Sequence, residues 1–204
     1  MNLDIKYKVI MVGDTNVGKT SLLRRAALNK FDDDINTTVA PNYYELTKTV
    51  NGKMINLQVY DTAGQERYAK LNNIYYHESK AVLILYSFSD LQSFIDVDKW
   101  YDDIMSVLNE DQVIVYLVAN KSDILTGTND TPVVSMENGE QKAKELNINF
   151  VYTSAKTGNN VDDLFVNVAS QIDDKFSVEA ISIEESKIVD IEKKDDIDEN
   201  KKCC

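Results

Sequence analysis

The sequence predicts an α/β domain with a mostly parallel sheet, one antiparallel hairpin edge and helices on both faces. Short apolar runs alternate along the chain with segments of helical periodicity, which is typical of strands joined by helical crossovers. Residues 81–86 and 113–118 are continuously apolar, as strands covered on both faces are. Two further runs flank Asn51-Gly52, a pair that favours a tight hairpin turn.

Each predicted strand is a short run rich in β-branched, aromatic or other apolar residues. In chain order these runs are residues 5–12, 43–50, 54–60, 81–86, 113–118 and 150–152. Helices are predicted over residues 21–30, 91–108 and 136–146. A last helix has an apolar face formed by Val161, Leu164, Phe165, Val168, Ala169 and Ile172. Ligands of such sheets bind beyond the carboxyl ends of the strands, so functional residues are expected in the loops that follow them.

One folded domain is expected over residues 1–176, followed by a flexible acidic tail over residues 177–204. The chain has 204 residues, of which 43% are hydrophobic, as is ordinary for a domain that buries a core. Between residues 177 and 200 acidic residues dominate, and no Gly, Pro or aromatic residue occurs. Such a composition is typical of segments that do not pack into a core.

Charge and cysteine content exclude several classes of function. The formal net charge is −12, which argues against a nucleic-acid partner because phosphate backbones require clustered Lys and Arg. The two cysteines, Cys203 and Cys204, are adjacent, so we expect a reducing compartment and no structural disulfide. No apolar run approaches the ~20 residues that span a bilayer. Asn2 stands where myristoylation needs glycine, so any membrane attachment is expected at the other end.

A phosphate-binding loop is predicted at residues 13–20, GDTNVGKT, which match the pattern G-x-x-x-x-G-K-[ST] between a strand and a helix. Glycines let backbone N–H groups curl around phosphate oxygens, and the helix N-terminus adds a positive dipole end. The Lys19 amine can reach the β- and γ-phosphates, and the Thr20 hydroxyl can ligate Mg²⁺. This loop alone does not separate ATP from GTP. The nucleotide-binding residues predicted here are Asp14, Asn16, Val17, Gly18, Lys19, Thr20 and Ser21.

A second group of candidate residues follows the third strand. Asp61 ends that strand, where a carboxylate suits a Mg²⁺ site either directly or through water. Gly64 allows a backbone N–H to approach a γ-phosphate. Gln65 is placed to orient an attacking water, so it is the predicted catalytic residue.

A guanine-binding set is predicted after the fifth and sixth strands. The Asp123 carboxylate can accept two hydrogen bonds from the guanine N1–H and exocyclic amine, a pattern that adenine cannot supply. The Lys121 stem can cover the flat face of the base. After the sixth strand, a backbone N–H can meet the guanine O6. The set comprises Asn120, Lys121, Asp123, Ser154, Ala155 and Lys156.

The chain resembles the Ras superfamily of small GTPases. The resemblance is carried by four segments in this order: the phosphate loop, DTAG (61–64), NKSD (120–123) and SAK (154–156). The resemblance covers residues 6 to about 176. It implies the P-loop NTPase fold, with a six-stranded sheet and about five helices, and it implies GTP or GDP bound with Mg²⁺. The family's spacing from Lys19 places the Mg²⁺-binding switch I Thr at Thr38. It also places Phe31 against the guanine, with ordinary packing of a loop aromatic as the alternative.

Within the superfamily the chain is most similar to Rab GTPases. Residues 65–68, QERY, resemble the Rab switch II, and Tyr43, Tyr60 and Tyr75 occupy the positions of an effector-reading aromatic patch. Packing at the edge of the core is the alternative for Tyr60. The resemblance implies an exchange factor, a GTPase-activating protein, a GDP-dissociation inhibitor and effectors, which would bind through switches I and II.

The resemblance also implies that Cys203 and Cys204 carry two geranylgeranyl groups. Two lipid groups anchor a protein stably to a membrane, whereas one gives only marginal membrane binding. Both would be needed, because residues 177–204 hold nine acidic residues against five lysines and so offer no polybasic signal. The expected location is the cytoplasmic face of an intracellular membrane, with a cytosolic pool.

The favoured hypothesis is a GTP/GDP-binding switch that slowly hydrolyses GTP and recruits effectors to a membrane in vesicle trafficking. A second is a nucleotide-binding membrane scaffold with little hydrolysis, suggested by Thr15 in the phosphate loop and by Val39-Ala40-Pro41 after Thr38. A third is a Ras-type signalling GTPase. The Cys-Cys sequence argues against the third hypothesis, because Ras-type chains end in C-a-a-X.

Overall fold

A six-stranded sheet forms the centre of this computed structural model, which describes residues 5–32, 42–62, 76–126 and 132–176. The strand order is β2-β3-β1-β4-β5-β6. Strand β2 runs antiparallel to β3, and the other four pairings are parallel. The predicted sheet, mostly parallel with one antiparallel edge strand, is confirmed. Its strands are β1 (Lys6–Val12), β2 (Asn42–Val50), β3 (Lys53–Asp61), β4 (Ala81–Ser87), β5 (Ile114–Asn120) and β6 (Asn149–Tyr152).

Five α-helices lie in the described part of the chain and cover both faces of the sheet. They are α1 (Lys19–Leu28), α2 (Leu91–Ile95), α3 (Val97–Met105), α4 (Met136–Glu145) and α5 (residues 161–176). None of the helices in the described ranges is both long and apolar enough to cross a membrane.

Two hydrophobic cores lie on opposite faces of the sheet. Alternate residues of β1 supply them, because successive side chains of a strand point to opposite faces. Val9 and Met11 belong to the core beneath α1 and α5, which also holds Leu22 and Phe165. The neighbouring Ile10 and Val12 belong to the core beneath α3 and α4, together with Trp100, Ile104 and Ala143. Burial on both faces explains why the central strands are continuously apolar in sequence.

The single helix predicted over residues 91–108 is wrong, because the structure divides it at Asp96. Helix α2 ends at Ile95, α3 begins at Val97, and α3 ends at Met105. The Asp90 carboxylate caps α2 by accepting the N–H groups of Gln92 and Ser93 at 3.0 and 3.3 Å. Apolar residues keep their helical spacing across Asp96, so the periodicity could not show the break.

Candidate functional site

The strands that lead into the predicted segments, β1, β3, β5 and β6, run parallel and end at one edge of the sheet. The strand register places Met11 of β1 beside Asp61 of β3, and Ser87 of β4 beside Asn120 of β5. The loop after β6 follows Tyr152, which lies one strand further across the sheet, beside Ala119. The four segments that the sequence analysis singled out therefore begin at the same carboxyl edge of the sheet.

Two glycines shape the loop between β1 and α1. Gly13 has φ +134°, and a Cβ there would lie 2.2 Å from the Leu85 carbonyl oxygen of β4. Gly18 has φ +94° and is the N-cap of α1, where a Cβ would lie 2.4 Å from the Asn120 amide nitrogen. Within the described ranges no side chain caps this helix N-terminus, as suits a helix whose first N–H groups bind an anion.

The Lys19 side chain is buried inside the loop that it follows. Its amine donates hydrogen bonds to the carbonyl oxygens of Gly13 and Asp14 at 2.6 and 2.7 Å. Burial lowers the pKa of Lys19 to about 8, although the nearby Asp61 and Asp14 carboxylates favour the charged form. Phosphate oxygens beside this amine would favour the charged form further.

The Thr20 hydroxyl and the Asp61 carboxylate, two of the predicted metal ligands, are in direct contact. Thr20 Oγ1 donates to Asp61 Oδ2 at 2.6 Å. Among the described residues, no group of three or more His, Cys, Asp or Glu side chains could hold a metal ion by itself. Mg²⁺ commonly takes one or two protein oxygens and completes its shell with water and substrate phosphates. This pair of oxygen ligands beside a phosphate loop fits that requirement.

Asn120 joins the phosphate loop to the loop after β6. Its buried amide nitrogen donates to the Val17 carbonyl at 2.9 Å. Its amide oxygen accepts from the Thr153 hydroxyl and from the Ala155 N–H, both at 3.3 Å. Asn120 was predicted as a nucleotide-binding residue. These contacts within the protein indicate that it fixes the position of the phosphate loop relative to the loop after β6.

Asp123 and Ser154 are brought together from different loops. The Ser154 hydroxyl donates to Asp123 Oδ1 at 2.6 Å and accepts the Thr157 N–H at 3.1 Å. This contact fixes the plane of the carboxylate, while lone pairs on a carboxylate remain for further donors. Lys121 has φ +63°, and burial lowers the pKa of its amine. Its partly buried stem is consistent with the predicted packing on a base.

Other predicted residues occupy more varied surroundings. Asn16 is exposed and has φ +66°, a conformation that Asn adopts more readily than most residues. Val17 is buried in the core beneath α1, and Ser21 lies half-buried in the first turn of α1. Phe31 packs, partly buried, against the same core. Lys156 is exposed.

The edge strand β2 and its neighbour β3 carry two of the three tyrosines of the predicted aromatic patch. Tyr43 and Tyr60 are opposite each other in the register, with ring centroids 5.3 Å apart. The Lys8 amine lies 5.6 Å from the Tyr60 ring centroid. Several of the predictions concern residues outside the described ranges: Thr38, Val39-Ala40-Pro41, Gly64, Gln65, Tyr75, Cys203, Cys204 and the tail over residues 177–204.

Two residues that the sequence analysis did not single out contact the site. The Trp100 indole of α3 donates to Asp14 Oδ1 at 2.8 Å, across 86 positions of sequence. The Arg25 guanidinium of α1 donates to the Ala155 and Lys156 carbonyls, both at 2.8 Å, across 130 and 131 positions. Neither residue belongs to a motif, so no signal in a single sequence could have found them.

The chain was compared with models of known protein families. The family model described as the Ras family matches residues 8–174. The matched range includes β1 from residue 8 onward, the other five strands, helices α1 to α4, and α5 as far as residue 174.

Proposed function

The chain belongs to the Ras family of small GTPases, and from this premise we propose that it binds GTP and GDP with Mg²⁺ at the carboxyl edge of its sheet and slowly hydrolyses GTP. The observation that carries the proposal is the contact network of Asn120. Its amide bonds the phosphate loop on one side and the loop after β6 on the other. A site that reads phosphates and base together needs such a link.

The phosphate half of the site would work through charge and backbone donors. The buried Lys19 amine would lie against the β- and γ-phosphates, and the N–H groups at the start of α1 would hold the remaining oxygens. Thr20 and Asp61, with Thr38, would hold the metal. Mg²⁺, when bound, neutralises developing charge on the phosphate oxygens.

The base half of the site would select guanine. The Asp123 carboxylate, held by the Ser154 hydroxyl, would accept the guanine N1–H and exocyclic amine. A backbone N–H in residues 154–156 would donate to O6. A site built on such pairing rejects the wrong base by roughly 10⁴–10⁵, because its buried groups would be left unpaired.

Hydrolysis would act as the switch. Gln65 would orient a water that attacks the γ-phosphorus, and the bond to the β–γ bridging oxygen breaks to release GDP and phosphate. Loss of the γ-phosphate removes the anchors of Thr38 and Gly64, so both switch loops relax and partners read the change. We expect intrinsic turnover on the order of 10⁻⁴–10⁻² s⁻¹, raised about 10³–10⁵-fold by an activating protein.

Gln65→Leu should lower single-turnover GTP hydrolysis by about 10²-fold, because misplacing the attacking water costs about that much. Release of labelled phosphate from preloaded GTP measures the rate, and GDP affinity serves as the control that should stay unchanged. Equal rates in wild type and variant would remove the role assigned to Gln65. If wild-type turnover is undetectable, the nucleotide-binding scaffold suggested by Thr15 becomes the better account.

A finer part of the proposal is that the protein is a Rab-type switch in vesicle trafficking. The contact between the exposed Tyr43 and the partly buried Tyr60 supports an effector-binding surface. The exchange factor, activating protein and GDP-dissociation inhibitor would act through switches I and II. The sequence KKCC at residues 201–204 supports attachment of two geranylgeranyl groups to the cytoplasmic face of an internal membrane.

Replacing both Cys203 and Cys204 by serine should release the protein from membranes, because both proposed lipid attachment sites would be lost. N-terminally tagged wild type should mark an internal compartment in cells, with a mass consistent with two added lipids, while the variant is diffuse. A matched Asn200→Ser variant should behave as wild type. Diffuse wild-type protein would contradict the anchor, and a plasma-membrane location would favour a Ras-type signalling switch.

A further inference from the structure

We propose that Arg25 is a positioning residue that fixes the base-reading groups of the site, so that the helix following the phosphate loop also sets guanine selectivity. This inference rests on the proposed function and extends it to a residue outside the family's motifs. The loop it holds, residues 154–158, is called the base loop below. Arg25 would touch neither base nor phosphate, and it would act through the base loop alone.

The first observation is the geometry of the Arg25 side chain. Its Nε and Nη2 atoms donate to the carbonyl oxygens of Ala155 and Lys156, both at 2.8 Å. These are two consecutive peptide units, and the planar guanidinium fork presents parallel donors of the kind that lysine lacks. The fork is itself held by its own helix, because Nη1 donates to Asn29 Oδ1 at 3.2 Å at the end of α1.

The second observation is what these two carbonyls orient. In a trans peptide the C=O and N–H of one planar unit point in opposite directions. Holding the Ala155 carbonyl towards α1 therefore turns the Lys156 N–H away from α1. Holding the Lys156 carbonyl in the same way turns the Thr157 N–H away from α1. Two backbone donors of the base loop are thus aimed by one side chain.

A chain of hydrogen bonds continues from these donors to Asp123. The Thr157 N–H donates to Ser154 Oγ at 3.1 Å, and the Ser154 hydroxyl donates to Asp123 Oδ1 at 2.6 Å. Consecutive hydrogen bonds of this kind polarise and orient one another. Arg25 is therefore the first member of a series of hydrogen bonds through Thr157 and Ser154, called the relay below. The relay ends on the Asp123 carboxylate, which is proposed to bind the guanine N1–H and amine.

The test compares GDP with inosine diphosphate, which lacks only the exocyclic amine. Arg25→Gln should speed GDP dissociation by about 10–100-fold, because charge-assisted bonds that hold the base loop are lost. The preference for GDP over inosine diphosphate should fall at least about threefold, because Asp123 is no longer held for the amine. Arg25→Lys should give an intermediate result. Lys142→Gln, which removes a positive charge from the surface of α4, should match wild type in both measurements.

A double-mutant comparison separates the relay from general destabilisation. Ser154→Ala breaks the same relay one step later, so its effect on base preference should not add to that of Arg25→Gln. Equal acceleration of both nucleotides, with an unchanged preference, would reduce Arg25 to a structural residue and overturn the proposal. Wild-type protein that binds neither nucleotide would instead contradict the proposed function, so the two failures are distinguishable.

Discussion

Replacing Asp123 by asparagine is expected to lower GDP affinity by about 10⁴-fold and to shift the preference of the protein towards xanthosine diphosphate. The carboxylate would accept both the N1–H and the exocyclic amine of guanine. An asparagine amide offers one acceptor and one donor group, and its donor would face the guanine amine. Xanthine carries a carbonyl oxygen where guanine carries that amine, so the same donor would find a partner.

The substitution should leave the fold intact. The Ser154 hydroxyl, which bonds Asp123 Oδ1, can donate equally to an amide oxygen. Competition of GDP and xanthosine diphosphate against a fluorescent GDP analogue measures the affinity of each variant for the two nucleotides. The control is Asp98→Asn, a matched loss of charge at the Lys142 ion pair on α3, which should keep wild-type affinity. GDP affinity that survives in Asp123→Asn, without a gain for xanthosine diphosphate, would show that Asp123 does not read the base.

Gly13→Ala is expected to lower the free energy of unfolding by about 2–5 kcal/mol. Two costs combine at this position. The backbone has φ +134°, and the new Cβ would lie 2.2 Å from the Leu85 carbonyl oxygen. Because that oxygen belongs to the backbone of the central strand β4, it cannot move aside without disturbing the sheet.

Gly52→Ala provides the matched control for this prediction. Gly52 also has positive φ, at +79°, but a Cβ there meets no atom of the described residues within 4 Å. The Gly52→Ala variant should therefore lose only about 1 kcal/mol of unfolding free energy, because backbone strain is the one cost at this position. Urea unfolding of both variants, at several fixed GDP concentrations because bound ligand shifts apparent stability, gives the comparison. Equal losses in the two variants would mean that close packing of the phosphate loop on β4 contributes little.

The parts of the fold that could be predicted from sequence are those that depend on local pattern. The continuous apolar runs of β4 and β5 indicate strands buried on both faces, and Asn51-Gly52 indicates the hairpin that sets β2 antiparallel. The phosphate loop could be predicted because its glycines, Lys19 and Thr20 act at fixed spacing between one strand and one helix. Each of these signals lies within a few residues of the structure that it specifies.

The parts that could not be predicted depend on which surfaces pack together. Trp100 bonds Asp14 because α3 lies against the phosphate loop, and Arg25 bonds the base loop because α1 passes beside the residues that follow β6. In sequence both are ordinary helical residues. The division between α2 and α3 at Asp96 was missed for another reason, since the apolar spacing runs unbroken through it.

The main proposal is that this edge of the sheet binds guanine nucleotides specifically. Competition between nucleotides for the site tests it most directly. Purified protein in Mg²⁺ buffer is loaded with a fluorescent GDP analogue, and unlabelled GDP, GTP and ATP are titrated against it. We expect GDP and GTP to displace the analogue. ATP should fail to displace it even at a concentration about 10⁴-fold higher than that of GDP. Displacement by ATP at concentrations similar to GDP would contradict the main proposal, because the phosphate loop would then bind nucleotides without any reading of the base.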